Sequence, residues 1–299
     1  MHVLINARAG TVIGADAEAV ADSVSRRLAD AGHDVGCEIV APERLSDAFA
    51  RIRTMPPEVL LVGAGDGTVR HAAETIIGSE TTLGVLPLGT INRLARDLGI
   101  PLDYEQAADA LAQGHVRSMD VAELNGRIFL CNAMLGLTTQ FSSERQKLRG
   151  KSTLERVTGY LSVVRNLLRG QRRIAVSIDD GTGSLHTKVI SLVVTNNPFT
   201  DEASLALHRP ELDKGRLAAY AARHAAGWQV AGAALRAMLG RLDGDSKVIQ
   251  LQSSRLTVDL PARSQIRLSI DGEVEDVATP LRFTIRPKAL KVLVPGDNA

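Results

Sequence analysis

Val59 to Asn92 reads VLLVGAGDGTVRHAAETIIGSETTLGVLPLGTIN. The unbroken apolar run Val59, Leu60, Leu61, Val62 suits a strand buried on both faces of a parallel sheet. A glycine-rich turn follows at Gly63, Gly65 and Gly67, where the missing Cβ lets the backbone reach positive φ and bring its N–H groups up to an anion. Val69, Ala72, Ala73, Ile76 and Ile77 then line one face of a helix whose positive N-terminal end points into the same loop. The device repeats in Leu83 to Leu86, the turn Pro87-Leu88-Gly89-Thr90, and a helix from about Asn92. Two such loops at the carboxyl ends of neighbouring strands predict a site for nucleotide phosphates.

Working back from this stretch, His2 to Ile5 reads as a first strand and Asn6-Ala7-Arg8-Ala9-Gly10 as its loop. Val20, Ala21, Val24, Leu28 and Ala31 give a helical face closed by Gly32. Val35 to Val40 resumes a strand; Leu45, Ala48, Phe49 and Ile52 mark a further helix, stopped by Pro56-Pro57. Strands alternating with helices predict a mostly parallel α/β sheet.

Working forward, Asp103 with Gln106 reads as a capping box for a helix ending near Gly114. The pattern changes near Val121. Met119 to Leu124 and Arg127 to Ala133 flank Asn125-Gly126, a strong hairpin signal. Strands are then expected at Ile174 to Ile178, Val189 to Thr195, Arg216 to Tyr220, Val248 to Leu251, Leu256 to Leu260 and Ile266 to Ile270. A largely antiparallel domain, a β-sandwich, follows from them. Two helical stretches interrupt it. Arg145 to Arg173 is basic on one side and apolar on the other, suited either to an anionic membrane surface or to packing on the sandwich. Ala221 to Leu242 carries Trp228, as a pocket cover or a core anchor.

The 299 residues, 44% hydrophobic and 23% charged, suffice for two globular domains. A net charge of +1 and 3% aromatic residues argue against a nucleic-acid partner. With Cys37 and Cys131 alone, no disulfide framework or cysteine metal site is expected. Neither a signal peptide nor a bilayer-spanning run is apparent, so a cytoplasmic protein is expected, with peripheral contact at the inner face of the membrane left open. Oligomeric state, homodimer included, is not legible.

Ala64-Gly65-Asp66-Gly67-Thr68, then Pro87-Leu88-Gly89-Thr90-Ile91-Asn92, then Ala95-Arg96-Asp97-Leu98-Gly99-Ile100-Pro101, and late in the chain Asp271-Gly272-Glu273, together resemble the diacylglycerol kinase catalytic domain family. That family also holds sphingosine and ceramide kinases and bacterial YegS-type lipid kinases. The resemblance runs through most of the chain. It implies an N-terminal Rossmann-like, NAD kinase-like α/β domain over 1–121 and a C-terminal antiparallel β-sandwich over 122–280. A tail over 281–299 returns to the first domain, and the active site lies in the interdomain crevice.

The implied activity is transfer of the γ-phosphate of ATP, with Mg²⁺, to a hydroxyl of a diacylglycerol-like or sphingoid lipid. The implied nucleotide contacts are Asn6, Ala64, Gly65, Asp66, Gly67, Thr68, Val69, Arg70, Gly89, Thr90 and Asn92. Asp66 and Asp120 belong to the metal network, since a hard cation selects carboxylate and water oxygens. Glu273 or Asp271 is the general base, with Glu273 favoured. Each has a plainer role open to it: Asn6 can tie its loop to a neighbour, Asp66, Thr90 and Asn92 can cap helices, and Asp-Gly favours a type I′ hairpin.

Several positions depart from the family pattern. Ala7 stands for a proline, Ala64 for a glycine, Arg70-His71 for an Asn-Glu pair, and Arg93 for an aspartate. Arg70 and Arg93 could grip phosphate directly. Lys214 replaces the aspartate that holds an accessory Mg²⁺, and that site is expected to be empty. The alternatives are an NAD kinase-like enzyme and a non-catalytic lipid- or nucleotide-binding relative.

Overall fold

The computed structural model describes residues 1–10, 16–136, 139, 173–199, 209, 211–223, 248–261 and 263–296. The chain divides into two compact units, Met1–Val121 with Pro287–Ala299, and Ala122–Arg286.

The first unit is built on parallel strands β1 (His2–Asn6), β2 (Gly36–Val40), β3 (Val59–Ala64) and β4 (Thr82–Pro87), in the order β2-β1-β3-β4. Val3, Leu4, Ile5, Leu60, Leu61, Val62, Leu83 and Leu86 are almost wholly buried, as strands covered on both faces require. The connections are helices α1 (Ala17–Asp30), α2 (Leu45–Thr54) and α3 (Asp66–Ile76). A short α4 (Arg93–Asp97) and then α5 (Tyr104–Ala112) follow β4. α1 starts at Asp16, whose carboxylate accepts the Glu18 N–H, and stops at Gly32, where φ is +92° and the N–H bonds to the Ala29 carbonyl. α1 meets α5 through Arg27, which bonds Glu105 at 2.8 Å and Asp109 at 2.6 Å. α2 meets α3 where Phe49 and His71 bring their rings to 4.6 Å. Asp103 caps α5 by accepting from the N–H groups of Glu105 and Gln106.

Strand β5 (His115–Leu124) leads out of the first unit, and β16 (Leu281–Val294) leads back into it. Lys291 and Val292 of β16 pair in parallel with Thr82 and Leu83 of β4.

The second unit is a sandwich of antiparallel sheets. One sheet has the order β12-β11-β10-β7-β14-β15, from β7 (Asn132–Gly136), β10 (Ser191–Asn196), β11 (Leu217–Ala222), β12 (Val248–Ser253), β14 (Gln265–Ile270) and β15 (Glu273–Ala278). The other layer pairs the first part of β16 with β13 (Arg255–Asp259), β13 with β8 (Ile174–Asp179), and β8 with β9 (Ser184–Val189). β6 (Arg127–Phe129) pairs with the end of β5 across a type I′ turn, Asn125 and Gly126 both having positive φ. Leu135, Val194, Leu217 and Leu268 from the first sheet meet Phe129, Ile178, Val258 and Phe283 from the second in one apolar core.

Three expectations need correction. The run Val189 to Thr195 is two strands: β9 ends at Val189 in one layer and β10 begins at Ser191 in the other, so the apolar residues cross a corner at Ile190. Arg127 to Ala133 likewise breaks at Leu130-Cys131 into β6 and β7. β15 was not anticipated, because Glu273, Glu275 and Asp276 make it polar. It is an edge strand, where charge is tolerated and guards against unwanted pairing. Asp276 is met across the hairpin by Arg267 at 2.9 Å. The helical stretches expected at Arg145 to Arg173 and Ala221 to Leu242 lie outside the described residues, save that Ala221 and Ala222 finish β11.

Candidate functional site

In the order β2-β1-β3-β4 the chain runs to one side of β1 and then to the other, so the loops after β1 and β3 part at the carboxyl ends of these strands. Such a switch point is where open parallel sheets bind ligands. Three loops meet there. Asn6 Nδ2 donates to Thr68 Oγ1 at 3.2 Å, and its Oδ1 accepts the Arg8 N–H at 3.0 Å. Of the two roles open to Asn6, tying one loop to the next is the one displayed. A Cβ on Gly10 would stand 3.2 Å from Thr90 Oγ1, and one on Gly89 would stand 2.5 Å from the Gly65 Cα.

The glycines of the first loop make no left-handed turn. Gly65 has φ −89° and ψ 171° at the start of α3, Gly67 lies inside that helix, and neither they nor Gly63 has positive φ. A Cβ on Gly63 would meet Leu88 at 2.8 Å and Ile5 at 3.1 Å, which explains a glycine in a buried strand.

Asp66 opens α3 without capping it. Its Oδ1 accepts the Leu94 N–H at 3.3 Å, linking the starts of α3 and α4. Asn92 does not cap α4 either. Held at φ +53° and buried, it gives its two amide hydrogens to the carbonyls of Pro87 (3.0 Å) and Gly89 (2.9 Å) and accepts the Gly89 N–H at 2.8 Å. Its side chain therefore shapes the second loop from within. Thr90 is exposed at that loop's tip, while Ala64, Val69 and Arg70 are buried around the start of α3.

Asp120 is fully buried on β5 and accepts the N–H of Lys288, a residue at φ +52° in β16, at 2.7 Å. It pins the returning strand. Among the described residues no three His, Cys, Asp or Glu side chains come together as a metal cluster. Lys214 pairs with Glu211 at 2.8 Å, and its N–H bonds Asn197 Oδ1 at 3.1 Å.

In the second unit Asp271 and Gly272 form the two-residue turn between β14 and β15, with φ of +47° and +90°. The hairpin reading of this Asp-Gly is thus realised. The Asp271 side chain turns inward, is buried, and accepts from the N–H groups of Leu130 (2.7 Å), Cys131 (2.8 Å) and Asn132 (3.0 Å). A carboxylate so engaged anchors a turn. Glu273, first residue of β15 and opposite Ile270, is exposed at the end of the hairpin.

Sequence reasoning passed over the polar residues gathered behind Asp271: Arg209, Thr195, Asn196 and Asn197, all essentially buried. The pair Asn196-Asn197 directly after an apolar strand was a usable signal. Arg209 had none: the Leu130 and Cys131 carbonyls that it bonds lie 79 and 78 residues away in sequence.

Residues 1–124 match the family model described as the diacylglycerol kinase catalytic domain. A Bacillus subtilis protein named diacylglycerol kinase is 28% identical over 247 residues, covering 81% of this chain and 79% of that one. A Pseudomonas fluorescens protein named "Probable lipid kinase YegS-like" is 29% identical, covering 80% and 78%. Against a Staphylococcus saprophyticus diacylglycerol kinase the match is 34% identical and spans about a third of each chain (35% and 36%). In fold, a crystal structure from Bacillus anthracis superposes with a TM-score of 0.75 at 20% identity, covering 99% of this chain and 97% of that one. Residues 1–124 thus resemble the diacylglycerol kinase catalytic domain, and relatives that align with about four fifths of the chain are named diacylglycerol kinase or lipid kinase.

Proposed function

We propose that the chain is an ATP-dependent, Mg²⁺-requiring kinase that phosphorylates a hydroxyl of a diacylglycerol-like or sphingoid lipid. The observation that carries this reading is the junction of three close-packed loops at the β1/β3 switch point, where the first turn of α3 offers its N–H groups. Backbone N–H groups and a helix N-terminus stabilise the charge of a transferring phosphoryl group, and phosphoryl transfer asks for little else from a protein. Asp66, half-buried beside that turn, fits a Mg²⁺ that draws its remaining oxygens from phosphate and water. When bound, the ion neutralises phosphate charge. Arg93, half-buried at the start of α4, supplies a cation where the family pattern has an acid.

Glu273 takes the proton of the acceptor hydroxyl. The oxygen then bonds to the γ-phosphorus, the bond to the β-phosphate oxygen breaks, and ADP leaves. Asp271, with its carboxylate spent on three N–H groups, is assigned to positioning. The lipid is met by peripheral contact with the inner face of the membrane. No helix among the described residues is long and apolar enough to cross a bilayer.

The test is transfer from γ-labelled ATP to a panel of diacylglycerol, ceramide, sphingosine, phosphatidylglycerol and NAD, beside Asp66→Asn and Glu273→Ala. Label in at least one lipid, lost in both variants, is expected. Label in NAD alone would convert the reading to an NAD kinase-like enzyme. ATP binding with no transfer would favour a non-catalytic relative, a reading to which Arg93 also gives some weight.

A further inference from the structure

The end of the second unit that carries Glu273 is unusually polar for the interior of a sandwich. Arg209 is 1% exposed, Asn196 and Asn197 are fully buried, and Asp271 is 9% exposed. Arg209, Asn196 and Asp271 share one object, the segment Leu130–Asn132 that joins β6 to β7. Asp271 takes its three N–H groups. Arg209 Nη1 donates to the carbonyls of Leu130 (3.1 Å) and Cys131 (3.0 Å) and to that of Asn196. Asn196 adds its own N–H to the Cys131 carbonyl at 3.0 Å and its Nδ2 to the Leu130 carbonyl at 3.1 Å. The two opposite charges grip the same short turn, Asp271 through its donors and Arg209 through its acceptors.

Burying a guanidinium and a carboxylate is costly, and apolar side chains of similar volume often serve stability as well or better. What the arrangement does supply is a fixed position. Asp271 sits at φ +47°, a conformation unfavourable for a residue with a Cβ. The Asp271 N–H adds a bond to the Asn132 carbonyl at 2.9 Å. Two residues further on stands Glu273, register-locked against Ile270.

We propose that Arg209 is a positioning residue for phosphoryl transfer: with Asp271 it clamps the Leu130–Asn132 turn and thereby fixes the hairpin that presents Glu273. The inference rests on the reading of Glu273 as the base.

The experiment compares the full chain with Arg209→Met, Arg209→Lys, Asp271→Asn and Glu273→Gln. Its readouts are melting temperature, ATP affinity, kcat and its pH profile with the lipid that the panel identifies, and hydrogen–deuterium exchange over 130–132 and 269–275. Expected for folded Arg209→Met and Asp271→Asn are ATP binding unchanged within about twofold, faster exchange in both segments, and a kcat lower by roughly 10- to 100-fold. The acidic limb of the kcat profile, which reports the base, moves with them. A lysine can reach some of the carbonyls as a point charge, so Arg209→Lys recovers part of the rate. If Arg209→Met does not fold, Arg209→Lys and Asp271→Asn carry the same comparison.

Wild-type kcat, pH profile and exchange in folded Arg209 and Asp271 variants, with Glu273→Gln inactive, would overturn the clamp alone. Full activity in Glu273→Gln would overturn the base assignment, and the clamp's catalytic role with it.

Discussion

At the scale of single residues, side-chain chemistry and side-chain use separate most clearly in the two aspartates of the Gly-Asp-Gly and Asp-Gly-Glu motifs. Asp66 is the first residue of α3, where the proposed function brings the phosphate. Asp66→Asn keeps the bond from the Leu94 N–H and removes the charge, so the fold should survive while Mg²⁺-dependent transfer falls by two orders of magnitude or more, on the scale typical of groups that stabilise transition-state charge. Titrating Mg²⁺ against rate checks it. Gly89 belongs to the close approach of the loops. Gly89→Ala sets a Cβ 2.5 Å from the Gly65 Cα and 2.6 Å from Asn92 Oδ1, an overpacking with no flexible neighbour to yield. A loss of about 1–3 kcal/mol and weaker ATP binding are expected, read by denaturant unfolding and calorimetric titration. The motifs marked these positions in the sequence. What they do not mark is direction: nothing in Asp-Gly-Glu says that the aspartate turns inward to the Leu130–Asn132 turn and leaves the glutamate at the hairpin end.

At the scale of elements, the α/β half was legible because its signals are local. The apolar runs of β1, β3 and β4, the face Val20-Val24-Leu28, Asp103 before α5 and Gly32 after α1 each carry their information within a few residues. Asp103→Ala should cost about 1 kcal/mol, visible as earlier loss of helical ellipticity in urea. The β half was legible only in part. Corners at Ile190 and at Leu130-Cys131 are made by tertiary contacts; beside Gly136, at φ +87°, a Cβ would fall 2.3 Å from the Ile190 carbonyl, a closeness no short window reveals. Charge also hid β15.

A pH effect belongs to this scale as well. Glu80, before β4, is held below the usual glutamate range by its hydrogen bond to Lys291 on β16 and then by that residue's charge. A carboxyl whose pKa is lowered by folding adds stability above its unfolded value and loses it as pH falls through the folded one. The pair is exposed, so its effect is small and weakened by salt. The stability gap between wild type and Lys291→Ala, measured in urea, should therefore close between neutral pH and the region below the ordinary glutamate value.

At the scale of the whole molecule, β16 serves both units: Leu281 and Phe283 are buried in the sandwich core, whereas Leu290, Val292, Leu293 and Val294 are buried in the first unit. A chain cut after Arg286 loses those four apolar side chains, each worth roughly 1.5–3 kcal/mol on burial, and leaves the buried Asp120 without the Lys288 N–H. Its first unit should fail to fold, seen as protease sensitivity across 1–121, while strands of the second unit stay protected in hydrogen exchange. Supplying 287–299 as a separate peptide should restore protection if strand addition alone completes the sheet. Because that strand follows the second unit in sequence, a ribosome delivers the opening 121 residues long before the segment that finishes their sheet. The nascent α/β half must wait, unfinished and with one flank of β4 open, through the synthesis of everything between.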